Sequence, residues 1–204
     1  MAKLLKEFYL REDVVKISRE LLGKVLYTRF NGQLTGGIII ETEAYAGVTD
    51  KASHAYNNRR TQRTEIMYRE GGVAYVYLCY GMHALFNIVT NKKDIPHAIL
   101  IRALKPFEGL DIMLKRRNKT KSDKMLTAGP GTITKALGIE VKHTDLSLLN
   151  DSIWIEDKGI NVNTEKIKAT TRIGIDYAGE DARLPYRFLI DVDEITNCEL
   201  QITN

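Results

Sequence analysis

The chain holds only two cysteines in 204 residues, Cys79 and Cys198, far apart and in apolar or strand-like surroundings. No disulfide framework is implied, and no Cys-x-x-Cys or Cys/His spacing offers a zinc site. Nowhere do about 18 apolar residues run together, so no membrane span is expected. The opening Met1-Ala-Lys-Leu-Leu-Lys-Glu7 lacks the apolar core of a signal peptide, which points to the cytoplasm, nucleoid-associated if the source is bacterial. Gly129-Pro-Gly131-Thr132 lacks the Lys-Ser/Thr of a P-loop, so it reads as a plain capped helix start. Repeats, low-complexity tracts and linkers are also missing, and residues 1–204 read as a single domain.

What is present is ordinary in bulk. The chain is 44% hydrophobic and 27% charged, with a net charge of +4 and a pI near 8.9. That mild basic bias admits a polyanionic partner without requiring one.

Local patterns outline a mixed α+β fold with a largely antiparallel sheet. Asp13 lies near the start of an amphipathic helix carrying Val14, Ile17, Ser18, Leu21 and Leu22, with Gly23 as its stop. Lys24 to Phe30, the Asn31-Gly32 turn and Gly36 to Glu43 form a hairpin, because both turn residues tolerate positive φ. Residues 47–72 form a long polar loop containing Arg59, Arg60, Arg63 and Arg69, a length that in a compact domain marks function or disorder. Strands follow at Val73 to Tyr80, Met82 to Thr90 and Ala98 to Leu104. Pro106 and Phe107 then open a helix containing Leu110, Met113 and Leu114. Lys115 to Lys124 reads as a basic loop, either a solvated surface tract or a phosphate contact, and a short helix ends at Gly138. Further strands are expected at Ser152 to Glu156, Ile167 to Ile175 and Arg187 to Val192.

Several side chains stand out against this frame. On a regular strand Glu41, Glu43 and Tyr45 share one face. A carboxylate there is either a solvated strand residue or, where aromatics exclude water, an effective base, and spacing does not choose between the two glutamates. Tyr75 and Tyr77 alternate with Val76 and Leu78 as core strand residues do. Tyr80 precedes Gly81 at a chain reversal, where a large aromatic has no easy route to the core. His54, between Ser53 and Ala55 in the polar loop, reads by itself as a surface residue or a helix-start decoration. Asn87, inside Leu85-Phe-Asn-Ile-Val89, is either a hydrogen-bond hub or a polar group of a pocket. Arg102 in an apolar run needs a carboxylate or a phosphate. A base, aromatic grips and an exposed wedge are the parts needed to extrude a nucleobase and cut it off.

The runs Glu41 to His54 and Tyr75 to Asn87 carry a resemblance, together with Arg102-Ala-Leu-Lys-Pro-Phe-Glu-Gly109, Ala128-Gly-Pro-Gly131 and Pro185-Tyr-Arg-Phe188. In order and spacing the chain resembles the alkyladenine (3-methyladenine) DNA glycosylase family of monofunctional base-excision enzymes. The resemblance implies a single domain with a curved, largely antiparallel sheet, flanking helices and a protruding β-hairpin. It implies that Glu43 positions and deprotonates the attacking water. Tyr45 and His54 would stack on one face of the flipped base and Tyr77 on the other, with His54 also bonding the base edge. Tyr80 would fill the gap in the duplex, and Asn87 would crowd the exocyclic amine of guanine. Arg102 and Met82 would support the DNA or the pocket. His83 stands where the family often has an aromatic residue, which leaves its part open. Also implied are a monomer, double-stranded DNA with damaged bases as partner, and neither metal nor cofactor. Two readings from other classes stay beside this one. They are a non-catalytic module binding damaged nucleic acid, and a nucleoside or glycoside hydrolase using Glu41 and Glu43 as an acid/base pair about 7 Å apart.

Overall fold

The computed structural model describes residues 2–196; Cys198 lies outside the described residues. In chain order the elements are β1 (Ala2–Lys3), α1 (Lys6–Tyr9), α2 (Val14–Glu20), β2 (Val25–Phe30), β3 (Gln33–Tyr45), β4 (Val73–Cys79), β5 (His83–Thr90) and β6 (His97–Glu108). There follow α3 (Leu110–Arg116), α4 (Pro130–Leu137), β7 (Ile153–Asp157), β8 (Asn161–Val162), β9 (Lys168–Thr170), β10 (Arg187–Leu189) and β11 (Ile195–Thr196). The main sheet runs β1-β7-β2-β3-β6-β5-β4, with β10 added to β3 and β9 to β10, while β8 and β11 form a separate ribbon. Every pairing is antiparallel. The class is α+β, a curved sheet with flanking helices.

Period-two alternation gives the sheet two different faces. On one face Val76, Phe86, Ile88, Ile99, Ile101 and Ile39 join Ile17 of α2, Leu21 just past its end, and Ile133 and Leu137 of α4 in the main core. Burying each such side chain contributes about 1.5–3 kcal/mol. On the other face the intervening residues, Tyr75, Tyr77, Asn87, Leu100, Arg102, Glu43 and Tyr45, collect beneath the loop 47–72. The helix-covered face thus holds the main core, while the opposite face combines these residues with a smaller apolar cluster, Tyr75, Val89 and Ala98 against Ile66, Met67 and Tyr68 of the loop.

Asp13 caps α2 through the Lys16 N–H, and Gly23 turns the chain at φ +83° as expected. Asn31 and Gly32, at φ +52° and +74°, make the hairpin turn. Several expected boundaries move. β3 is longer at both ends than Gly36 to Glu43, and β6 runs through Pro106 and Phe107 rather than breaking into a helix there. Pro106 pairs with Gly37 beside a register shift, where the missing N–H is tolerated. The helix waits for Gly109, at φ +68°. The basic tract begins inside α3, since Lys115 and Arg116 belong to its last turn. Arg116 donates to the Ala136 carbonyl and Arg117 to that of Leu126, so part of that charge ties the fold together. The strand expected over Ile167 to Ile175 stops at Thr170, because Arg172 leaves the sheet for a buried partner described below. Among the described residues no helix is long and apolar enough to cross a membrane.

Candidate active site

A cavity of about 840 Å³ opens between the second sheet face, the loop 47–72, the start of α4 and the segment 173–177. It is large enough for a nucleobase with its sugar. Of the singled-out residues, Tyr45, His54, Tyr77, Tyr80, Met82, Asn87 and Arg102 line it. Glu43 does not. It sits fully buried directly behind the wall formed by its own hydrogen-bond partners.

Two β-bulges build that arrangement. In the β3–β6 ladder Ile39 pairs with Leu104, Glu41 with Ala103 and Thr42 with Ile101. Ile40 and Arg102 are therefore the extra residues, and such bulges re-aim side chains. The Arg102 guanidinium turns onto both carboxylates, donating from Nε to Glu41 Oε1 at 3.0 Å and from Nη1 to Glu43 Oε2 at 3.3 Å. The partner that the arginine required is thus a pair of carboxylates. Arg187 on β10 donates to the same Glu41 oxygen at 2.6 Å. Glu41 is thus engaged by two guanidiniums and is not among the residues that line the cavity.

Glu43 accepts from the Ile173 N–H at 2.8 Å on Oε1 and from the Tyr45 hydroxyl at 2.9 Å on Oε2. Burial pushes its carboxyl above the ordinary carboxylate range, while Arg102, the Ile173 N–H and Tyr45 hold it back and Glu41 adds to the rise. A carboxylate so placed is more basic than an exposed one yet still prepared by three donors. Tyr45 is itself pushed well up, by burial first and then by the Glu43 charge, so its hydroxyl is a donor and not a phenolate.

The aromatic part is assembled by β4 and the loop. Tyr75 is buried, as the core reading of its strand expects, and its hydroxyl meets His54 Nδ1 at 2.8 Å. The His54 ring stands edge-on to Tyr77, with ring centres 4.7 Å apart. Burial, then the charges of Arg63 and Arg59, lower the His54 pKa to about 4. His54 is therefore a neutral pocket residue at physiological pH, not a surface decoration. Asn87 is both hub and lining: its amide donates to the Tyr75 and Leu85 carbonyls at 3.2 and 3.4 Å, which leaves Oδ1 to offer to the cavity.

At the hairpin tip between β4 and β5, Tyr80 is 87% exposed and Met82 71%. Tyr80 sits at φ +50° and Gly81 at φ +71°, closed by the Met82 N–H donating to the Cys79 carbonyl at 3.2 Å. A tyrosine in that left-handed conformation costs about 1–2 kcal/mol relative to the right-handed region. The strained, solvent-facing ring is not part of any core. His83 begins β5 beside Gly131, whose added Cβ would lie 3.2 Å from that of His83; the two pack together at the cavity edge.

One supporting pair escaped the sequence reading. Arg172, fully buried, grips Asp50 through Nη1 and Nη2 at 2.5 and 2.8 Å, donates to the Ala44 carbonyl and lies 4.9 Å from the Tyr45 ring centre. Asp50 in turn accepts the Ala46 and Ala52 N–H groups. The pair pins the end of β3 and the back of Tyr45, and removing one member strands the other at a cost of about 3–5 kcal/mol. Nothing in the local sequence joins residues 122 positions apart. Among the described residues no three His, Cys, Asp or Glu side chains converge as metal ligands.

The sequence matches the Methylpurine-DNA glycosylase (MPG) family over residues 7–194. A protein of Chlamydia felis, named as a candidate 3-methyladenine DNA glycosylase, is 50% identical over 188 residues, 92% of this chain and 95% of its own length. A Chlamydia abortus protein of the same name is also 50% identical, covering 92% and 97%. One from Clostridium novyi is 44% identical over 93% and 96%. The chain belongs to the methylpurine-DNA glycosylase family.

Proposed function

We propose that this chain flips a damaged purine out of duplex DNA into the cavity and hydrolyses its N-glycosidic bond with a water activated by Glu43. Membership of the family makes the chain a DNA glycosylase, a hydrolase of N-glycosyl bonds. The finer reading rests on one observation above the rest: a fully buried carboxylate, with three donors fixing it, directly behind an aromatic-lined cavity.

In this reading Tyr45 takes one face of the flipped base and Tyr77 the other; His54, expected beside Tyr45, instead sides with Tyr77, since rings in edge-on contact leave no room for a base between them, and from there it meets the base edge. Tyr80 enters the space left in the stack, and Asn87 turns away guanine through its exocyclic amine. Water reaches Glu43 between Tyr45, Arg102 and Ile173, exchanging with one of their bonds to the carboxylate. As the N-glycosidic bond breaks, its electron pair leaves with the base. Positive charge grows on the sugar, where the buried carboxylate stabilises it. The water oxygen bonds to C1′ and its proton passes to Glu43. A ring-methylated purine leaves neutral and needs no acid. A deaminated purine, such as hypoxanthine, leaves as an anion and must be protonated, so it belongs to a slower class of substrate. The chain acts on DNA as a monomer in the cytoplasm, and this scheme uses no group beyond water and these side chains.

The test is release of a base from an end-labelled duplex carrying one damaged purine, read as strand cleavage after alkali. Cleavage at the lesion supports the reading. Binding without release would leave a damage-binding module in its place.

A further inference from the structure

Arg63 is a charged cavity residue to which this mechanism gives no part. It projects from the loop between β3 and β4, exposed, with its guanidinium 4.9 Å from the centre of the Tyr77 ring. Its neighbours on the loop are ion-paired, Arg60 with Glu65 and Asp94, and Arg69 with Asp145. Among the described residues Arg63 has no carboxylate partner. It lines the cavity with its charge uncompensated. The facing platform is treated alike, since Arg172 lies 4.9 Å from the Tyr45 ring centre. Both rings proposed to clasp the base therefore already carry a guanidinium.

That placement bears on which bases the clasp prefers. A cation is drawn to an aromatic face by the ring quadrupole. A second cation on the same ring shares that attraction and also meets the charge of the first, whichever face each occupies. A neutral base stacks on the ring without that penalty. Protonation of His54 in the same cavity is opposed by burial first, and then by the charges of Arg63 and Arg59.

Resting on the flipping reading above, we propose that Arg63 is a specificity-determining residue that biases the cavity against cationic, ring-methylated purines and towards neutral damaged purines. Arg172 is locked to Asp50 and fixed; Arg63 is exposed and substitutable, which makes it the position where this preference is set.

The experiment compares the parent, Arg63→Gln and Arg63→Lys in single-turnover release of 3-methyladenine from methylated DNA and of hypoxanthine from a defined duplex. Where a neutral base is bound without release, gel-shift affinities supply its side of the ratio. Arg63→Gln is expected to raise the cationic-to-neutral ratio by about threefold to tenfold, the scale of one partly exposed cation–π contact. Arg63→Lys, which keeps the charge, is expected to stay nearer the parent. An unchanged ratio overturns the proposal, and an equal loss on both substrates with a shallower salt dependence makes Arg63 a phosphate contact instead. A parent that releases neither base would instead refute the flipping and excision reading itself.

Discussion

Replacing Tyr80 by glycine should move stability and activity in opposite directions. The tyrosine ring is 87% exposed, so its removal forfeits little packing. Its backbone, at φ +50°, lies where glycine is at ease and tyrosine is not. Relief of that strain, less glycine's greater loss of freedom on folding, leaves a net gain of about 0.5–1 kcal/mol. For a chain of this size that is a rise in Tm of about 1–4 °C. The same substitution deletes the side chain proposed to fill the vacated stack, where the unstacking cost is on the order of a few kcal/mol. Excision and binding on damaged duplex should therefore fall by at least about tenfold, which corresponds to about 1.4 kcal/mol. Tyr80→Ala should lose activity similarly, with Tm nearly unchanged. Calorimetry of each variant, paired with single-turnover release and a gel-shift titration, measures both quantities. A fall in Tm of several degrees would make Tyr80 a structural residue, and full activity in the glycine variant would end the wedge assignment.

Two further outcomes follow from the pocket. Asn87→Ala should raise release of guanine-type bases relative to adenine-type ones; an unchanged ratio with a general loss would leave Asn87 only its bonds to the Tyr75 and Leu85 carbonyls. The excision rate should fall as the pH drops through the raised Glu43 pKa, because the attack needs the carboxylate ionised. His54, already neutral above about pH 4, should add no inflection between pH 6 and 7. A pH–rate profile with an acid limb near 6.5 that survives in Glu43→Gln, and a matching His54 titration by NMR, would contradict both assignments.

How far the sequence reveals this molecule depends on whether a feature is local. Asn31-Gly32 is a turn wherever it occurs between β-prone runs, and period two alone puts Glu41, Glu43 and Tyr45 on one face. Tyr80 beside Gly81 is legible as exposed for the same reason. The bulges are not legible, since Ile40 and Arg102 become extra residues only when β3 and β6 are set in register. Without them nothing says that Arg102 reaches both glutamates, or that Glu41 is tied off by Arg187 from a strand near the end of the chain. Pro106 misleads in the opposite way. It looks like a helix opening, yet its partner Gly37 makes it a tolerated strand residue. The burial of Glu43 behind its own donors is the least legible feature, because the Ile173 N–H that fixes it is 130 residues away.

The central claim is that Glu43, not Glu41, prepares the water. Single-turnover release with excess enzyme, run beside a gel-shift titration on the same damaged duplex, tests it for Glu43→Gln and Glu41→Gln. Glu43→Gln keeps the size but removes the charge and the basicity. Release should fall by about 10²-fold or more, the usual scale for losing a general base. Affinity should stay within about tenfold, because base flipping and stacking do not need the carboxylate. Glu41→Gln should instead loosen Arg102 and Arg187, with a smaller loss of rate and a larger effect on stability. Near-parent release by Glu43→Gln, with Glu41→Gln the slower variant, would contradict the account.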